Sequence, residues 1–364
     1  MKRTHALAFE LDDFDCLPLD IQLSIFSYLS LSDLFPLATV CKRLKHVSYN
    51  LPQWKSFEMQ GFQNHSAILF SRAHGRKIES LTVKAMRLTR GLLNTFLVYK
   101  HLEYLDITNI WKSPAVNNRF VNILVQLRLK TLLFGPNEIT EKGFLSLCKG
   151  LKNTLETLDF NSRFMQTKGF YSIVHLQKLK SLTFRSCINL DHTVIPFICA
   201  LGNLCTLQLS FLPLVSAACL DTLNKSHLKD QLKTLVLNGM WLNEEHCKLL
   251  SKFQSLEFLS LCHPQISNKA LCCFQSSTLS VFTLFCSRTL HNVDFLKGLP
   301  QLQNLCIYRC RVNVNSLISW AQRRKKLHID TCKISLTLDG IKKMKALPNV
   351  SLLQVSQRPF RISI

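Results

Sequence analysis

One short arrangement of apolar positions, apolar-x-x-apolar-x-apolar, recurs along most of the chain. The clear copies are Leu102-Leu105-Ile107, Leu129-Leu132-Phe134, Leu155-Leu158-Phe160, Leu179-Leu182-Phe184, Leu204-Leu207-Leu209, Leu232-Leu235-Leu237, Leu256-Leu259-Leu261, Leu279-Phe282-Leu284 and Leu302-Leu305-Ile307. Weaker copies extend both ends: Ile78-Leu81-Val83 in front and, behind, Leu327-Ile329 with Arg324 in the first slot and Val350-Leu353-Val355. The starts of these twelve copies lie 22 to 28 residues apart. Within each copy the last two apolar positions are two residues apart, which puts them on one face of a strand.

Eight residues after the first position stand Asn137, Cys187, Cys310 and Cys332, types suited to bond backbone where a chain leaves a strand. Arg163, Met240, Pro264 and Ser287 fill the same slot elsewhere, so this turn is degenerate in most copies. Helix-capping types follow at Thr140, Thr167, Asn243, Ser267, Asn313 and Ser335. Helical spacing comes next, as in Phe144-Leu147-Cys148-Leu151 and Cys247-Leu250. Each copy therefore predicts strand, turn and helix. A single such unit cannot bury its own apolar face, so the copies must stack, and a period of roughly 20–29 residues is that of leucine-rich repeats. The expected fold is an α/β solenoid of about twelve repeats over 78–356, a horseshoe with strands inside and helices outside. The tail 357–364 is expected to cap it. The 66 leucines, spread along the whole chain, fit this reading.

The segment before the repeats is different. Pro18 opens a helical stretch over 20–29, where Leu19, Leu23 and Phe26 lie within about 60° of one another at 100° per residue. Ile21, Ile25 and Leu29 form a neighbouring cluster, while Asp20, Ser24 and Ser27 hold the opposite side. The apolar arc spans about 200°, twice what a surface helix needs. A second helix is expected from Ser32-Asp33 through Leu34, Leu37, Val40, Cys41 and Leu44. So short a unit cannot use all that apolar surface internally, and the surplus face should dock on another protein.

These residues resemble an F-box: Leu17-Pro18, Ile25-Phe26-Ser27-Tyr28-Leu29, Asp33-Leu34, Val40-Cys41-Lys42-Arg43 and Trp54. Leu44 stands where that family usually has Trp, and Pro36 interrupts the second helix. With the repeats, the whole chain resembles the F-box/leucine-rich-repeat family. The resemblance implies a small all-α three-helix F-box over 14–60, between a tail (1–13) and a connecting segment (61–77). It also implies a non-catalytic substrate receptor of a ubiquitin ligase, bound through a Skp-type adaptor to a cullin and a RING protein. Adaptor contacts would then involve Leu17, Pro18, Ile25, Leu29, Leu34, Val40, Cys41 and Trp54.

Composition narrows the function further. The net charge of +22 is uneven, with six basic and seven acidic residues over 1–60 against 39 and 16 over the rest. A domain boundary is therefore expected near residue 60. The fifteen cysteines are an odd number without paired framing, and the charged start lacks the apolar stretch of a signal peptide, so a reducing interior, cytoplasmic or nuclear, is expected. No apolar run reaches the length of a membrane span, so no membrane partner is expected. No phosphate-binding, zinc-protease or nucleophile-elbow motif occurs, and no catalytic residue, cofactor or metal is expected. Glu244-Glu245-His246-Cys247 reads as a helix start.

Side chains between and after the strand leucines face away from the helices. In the early repeats these are Thr82, Asp106, Thr108, Thr157, Asp159, Asn161 and Thr183, none an anchor. In the later ones they include Phe258, Cys262, His263, Val281, Phe285, Cys286, Tyr308, Arg309 and His328. Aromatic residues with Arg are what interface hot spots use, so a protein-substrate patch is expected at Phe258, Phe285, Tyr308 and Arg309. The basic runs Arg323-Arg324-Lys325-Lys326 and Lys342-Lys343-Met344-Lys345 come without a nucleic-acid-binding motif. Nucleic-acid binding and a scaffold role without ubiquitination are the alternatives to the receptor reading.

Overall fold

The alternation of apolar and polar positions becomes, in the computed structural model, an alternation of buried and half-exposed side chains along each strand. The structure describes residues 16–353 apart from 30–32, 35–36, 38–39, 62–66, 69–70, 73–74, 112, 136–137, 286, 288–289, 291, 311, 325–326, 331–341, 344–345 and 349. The expectations for Pro36, Asn137, Cys286, Cys332, Ser335 and the cap at 357–364 lie outside the described residues. The chain forms two compact units, Met1–Trp111 and Lys112–Ile364.

In the first unit the helix Leu19–Ser27 packs on the helix Lys42–Tyr49, and strands β1 (Ser56–Gln60), β2 (Ser80–Lys84) and β3 (Tyr104–Asn109) follow. β1 was not among the expected strands. It is a degenerate copy of the same pattern, Trp54-x-x-Phe57-x-Met59, with Trp54 in the slot Leu usually fills, and its pairing with β2 runs from Ser56↔Ser80 to Gln60↔Lys84. β1 and β2 pair across the change of charge balance near residue 60.

The second unit holds β4 (Thr131–Phe134), β5 (Thr157–Phe160), β6 (Ser181–Arg185), β7 (Thr206–Ser210), β8 (Thr234–Asn238), β9 (Phe258–Cys262), β10 (Val281–Phe285), β11 (Asn304–Tyr308), β12 (Leu327–Asp330) and β13 (Val350–Leu353). Within each unit every strand pairs with the next in chain order, always parallel. The fold class is α/β, a leucine-rich-repeat array following amino-terminal helices.

Register explains why the array holds. Leu158, Leu182, Leu207, Leu235, Leu259, Phe282 and Leu305 lie directly across from one another on β5 to β11, all buried. Each contributes about 1.5–3 kcal/mol through burial, set against the entropy of ordering its repeat. A phenylalanine layer lies behind the early strands: Phe160 sits 4.7 Å from Phe144, 5.8 Å from Phe134 and 6.1 Å from Phe170, ring centre to ring centre. The carbonyl before most strands accepts two N–H groups from the next repeat, as Glu156 does from Lys180 and Ser181 and Lys233 does from Glu257 and Phe258.

Three local expectations change. Thr167 does not cap its helix; Gln166 takes the cap position without a capping bond from its side chain, and the Thr167 hydroxyl donates to the Asn189 carbonyl at 2.7 Å and accepts from the Asp191 N–H, tying two repeats together. The last two copies run in another register, with Ile329 rather than Leu327 across from Leu305 and Leu352 rather than Leu353 across from Ile329. Arg324 removes the apolar first slot, and a period of two alone leaves the two-residue shift of β12 undetermined, while in β13 two adjacent leucines leave open which of them is the column residue. Arg324 instead donates to the carbonyls of Leu296, Leu299 and Pro300 and lies over the Trp320 ring. Finally, the second F-box helix is broken. Asp33, Leu34, Leu37 and Val40 are helical, but Cys41 is extended (φ −152°, ψ 166°) and its sulfur accepts from the Leu44 N–H as the cap of a new helix.

Phe160→Ala removes a fully buried ring from this layer and should destabilise the chain by about 3–5 kcal/mol. Urea unfolding monitored by circular dichroism measures it; a loss below about 1 kcal/mol would contradict the packing described.

Candidate interaction surfaces

The first helix shows how the amino-terminal surplus is divided. Gln22 and Phe26 point inward and are buried, and the Gln22 side-chain amide donates to the Leu17 carbonyl at 2.9 Å. Leu23 and Leu29 are half-buried beside them. About a third of a turn round the helix from them, Ile21 (44% exposed), Ile25 (43%) and Tyr28 (88%) follow at i, i+4 and i+7, an exposed stripe about 60° wide. Leu19 and Val40 are exposed as well, as are Pro18 and Cys41, while Leu17 is half-buried.

Two expected adaptor contacts point inward instead. Leu34 is fully buried. Trp54, 1% exposed, donates its indole N–H to the Ser48 carbonyl and packs between Tyr49 (6.5 Å) and Phe57 (6.4 Å). The pattern missed this because the first slot of β1 holds an aromatic residue instead of Leu. Ile21 and Tyr28, not among the expected contacts, are readable in the helical spacing with Ile25.

On the sheet face turned away from the helices, register decides which expected residues meet. Phe285 and Tyr308 are cross-strand partners with ring centres 5.4 Å apart, and the Arg309 guanidinium lies 5.5 Å from the Tyr308 ring centre. Arg309 has φ +53°, and this left-handed turn follows directly on Tyr308 at the strand end. Phe258 is not in this group. It lies at the opposite end of the strand, in the row Thr234, Phe258, Val281, Asn304, about 13 Å away along the strand direction. His263, half-buried near the Phe285 end, accepts the Gln265 N–H on Nδ1 at 3.2 Å, and burial pulls its imidazole below the usual value toward the neutral form. In the early repeats Asp159 is neutralised by Arg185 at 2.5 Å.

Family comparison adds to this geometry. The profile of the F-box-like family matches 14–60. Residues 14–60 are an F-box-like domain. No curated protein matches the chain. Among solved structures, yeast Rad7 in the complex of Rad7 and Elc1 aligns over 94% of this chain and 93% of its own, with 14% identity and a TM-score of 0.55. A leucine-rich-repeat protein of Leptospira interrogans aligns over 90% of this chain and 99% of its own, with 15% identity and a TM-score of 0.43. The Rad7 likeness is one of fold.

In the F-box-like domain, then, the apolar stripe belongs to a unit whose core is completed by its own Leu34, Leu44, Val47 and Trp54. Among the described residues no group of three or more His, Cys, Asp or Glu side chains has a metal-holding arrangement, and no helix is long and apolar enough to cross a membrane. Glu244 and Glu245 occupy the first turn of the helix Glu244–Leu250, capped reciprocally by Asn243 and His246. Burial pushes the thiols of Cys187, Cys219 and Cys247 up to about 12, and that of Cys148 higher still.

Thiol reactivity should therefore separate two classes at pH 8. In the native chain exposed Cys16 and Cys41 should react with a disulfide reagent, while Cys148, Cys187, Cys219 and Cys247 should stay unlabelled until denaturant is added. Fast native labelling of Cys247, read by peptide mass spectrometry, would contradict a purely structural role.

Proposed function

We propose that this chain is a non-catalytic substrate-recognition subunit of a Skp–cullin–F-box ubiquitin ligase. The F-box-like domain binds a Skp-type adaptor and, through it, a cullin and a RING protein. The repeats hold a protein substrate, and catalysis comes from the assembled partners by proximity. The observation that carries the reading is the exposed stripe Ile21, Ile25 and Tyr28 on an F-box-like domain that also exposes Leu19 and Val40. Apolar exposure of this kind on a small helical unit marks a protein interface. That Rad7, a protein of similar fold, was solved in complex with Elc1 is consistent with a partner-bound role.

On this reading Pro18, Ile25, Val40 and Cys41 are the adaptor-facing members of the expected set, with Leu17 and Leu29 at its half-buried margin. Leu34 and Trp54 support the domain from inside. For the substrate, the paired rings of Phe285 and Tyr308 with Arg309 form the anchor, and Phe258 a separate contact further along the face.

Two measurements test the proposal. Ile25→Glu in the full chain should cut recovery of a co-expressed Skp-type adaptor at least tenfold, since burying an Ile is worth about 1.5–3 kcal/mol, while Ser27→Glu on the opposite side should leave it intact. Equal recovery by both variants would remove the adaptor role. Phe285→Ala with Tyr308→Ala should abolish substrate ubiquitination in a reconstituted ligase while adaptor binding persists; unchanged ubiquitination would move the substrate site elsewhere.

A further inference from the structure

A cavity of about 660 Å³, a size that suits a ligand, is lined by residues that follow β4 and β5. Glu138, Ile139 and Glu141 come from one repeat, Phe164 and Met165 from the next. Ile139 and Met165 are buried and supply apolar lining. Phe164 is different. It stands six residues beyond the buried Leu158, in a loop of a kind that is normally polar, and its ring is 65% exposed. An exposed ring and two carboxylates thus share one concave site.

The backbone under the carboxylates is fixed by the preceding repeat. The Glu138 N–H donates to the Val116 carbonyl at 3.0 Å, and Glu138 and Asn117 form a parallel bridge. The Asn118 side chain donates to the Thr140 hydroxyl at 2.7 Å and accepts the Thr140 N–H at 2.9 Å, which sets the start of the helix Glu141–Gly150. Gly169 makes room on the other side. A Cβ there would meet Glu141 Cγ and Met165 Cγ at 2.8 Å, so both side chains lie against bare backbone and the Glu141 stem is in place before anything binds. Glu156, Asp159, Glu244, Glu257 and Asp294 of the same unit are each paired with Lys or Arg. Glu138 and Glu141 form no ion pair among the described residues, although Lys and Arg outnumber Asp and Glu by 32 to 13 over 112–364. The lining contains one cation, Lys142, against the two carboxylates, and the exposed Arg163 and Lys168 are not part of it. The helix dipole accounts for Glu141 in the first turn, but Glu138 lies outside the helix.

We infer that this cavity takes an arginine side chain presented by a partner protein. The two halves of the lining ask for opposite things, a flat apolar surface for the ring and positive charge for the carboxylates. A guanidinium supplies both: it is planar and weakly hydrated, stacks on an aromatic face, and carries five N–H donors in a fork that fits carboxylate oxygens. A lysine ammonium is a compact, strongly hydrated charge and gains less from the ring. An acidic segment would face Glu138 and Glu141 directly. A purely apolar one would bury both carboxylates unpaired, which is costly. Arginine is also among the residues that anchor protein interfaces. The site is separate from the Phe285–Tyr308 pair and does not depend on the ligase reading.

The test uses the full chain and three short Gly/Ser peptides that differ only in one central residue: arginine, lysine, or citrulline, the neutral analogue of arginine. Ligand-observed saturation-transfer NMR should find the arginine peptide bound about tenfold or more tightly than the citrulline peptide, and more tightly than the lysine peptide. Saturation should be strongest on the arginine side chain. Glu138→Gln combined with Glu141→Gln, and separately Phe164→Ala, should each weaken the arginine peptide about tenfold or more. Glu245→Gln, which also removes an exposed first-turn carboxylate, should leave its affinity unchanged. Far-UV circular dichroism unaltered in the cavity variants shows that lost binding is not lost folding. Equal binding of citrulline, lysine bound as tightly as arginine, no arginine binding at about 1 mM, or unchanged affinity in the cavity variants would overturn the inference. So would an equal loss in Glu245→Gln.

Discussion

A strand and a helix of this length cannot hide their own leucines, and every level of the structure follows from that. The column from Leu158 to Leu305 is buried only because each repeat lies across from the next, and the same stacking lets one carbonyl per repeat accept two N–H groups from its neighbour. Ion pairs such as Lys180–Glu156 and Lys233–Glu257 follow the same stacking at the surface. They are exposed and add little. Stacked apolar burial is what holds the array together.

The same demand operates in the amino-terminal helices. Trp54 joins the two kinds of structure: it fills the first slot of β1 while its indole is bonded to Ser48 in the helix Lys42–Tyr49. Leu34, Leu44, Val47 and Phe26 are satisfied around it. Ile21, Ile25 and Tyr28 are not, and exposed side chains of this size on one helix face are a reason for the domain to have a partner. In the repeats the column residues from Leu158 to Leu305 are buried, and the exposed groups lie on the sheet face and at the strand exits.

How much of this was legible in the sequence depended on how each element is encoded. From Leu132 to Ile307 the strands and their register are legible directly, because three apolar slots at fixed spacing leave one alignment. Where a slot is lost the reading slipped, as at Arg324, and where it is filled by Trp the strand was missed, as in β1. Caps with a side chain bonded to the third residue of the helix were readable at Asn243 and Ser267. Thr167 has the same chemistry but spends it on the neighbouring repeat, and Cys41 caps a helix with a thiol, a choice composition does not advertise. The candidate patch was read as one cluster of four residues. Strand alternation puts Phe258, Phe285 and Tyr308 on one face, with Arg309 in the turn just after Tyr308, but says nothing about position along the strand, which is where Phe258 parts from Phe285 and Tyr308.

The central claim is that a partner subunit covers the apolar stripe of the F-box-like domain. Hydrogen exchange of the full chain, with and without saturating purified Skp-type adaptor, tests it most directly. The account predicts that protection increases over the helix Leu19–Ser27 and around Val40 and Cys41 while the strands β4 to β11 stay unchanged. Adaptor bound at saturation with no added protection at that helix, or no binding at all, would contradict it.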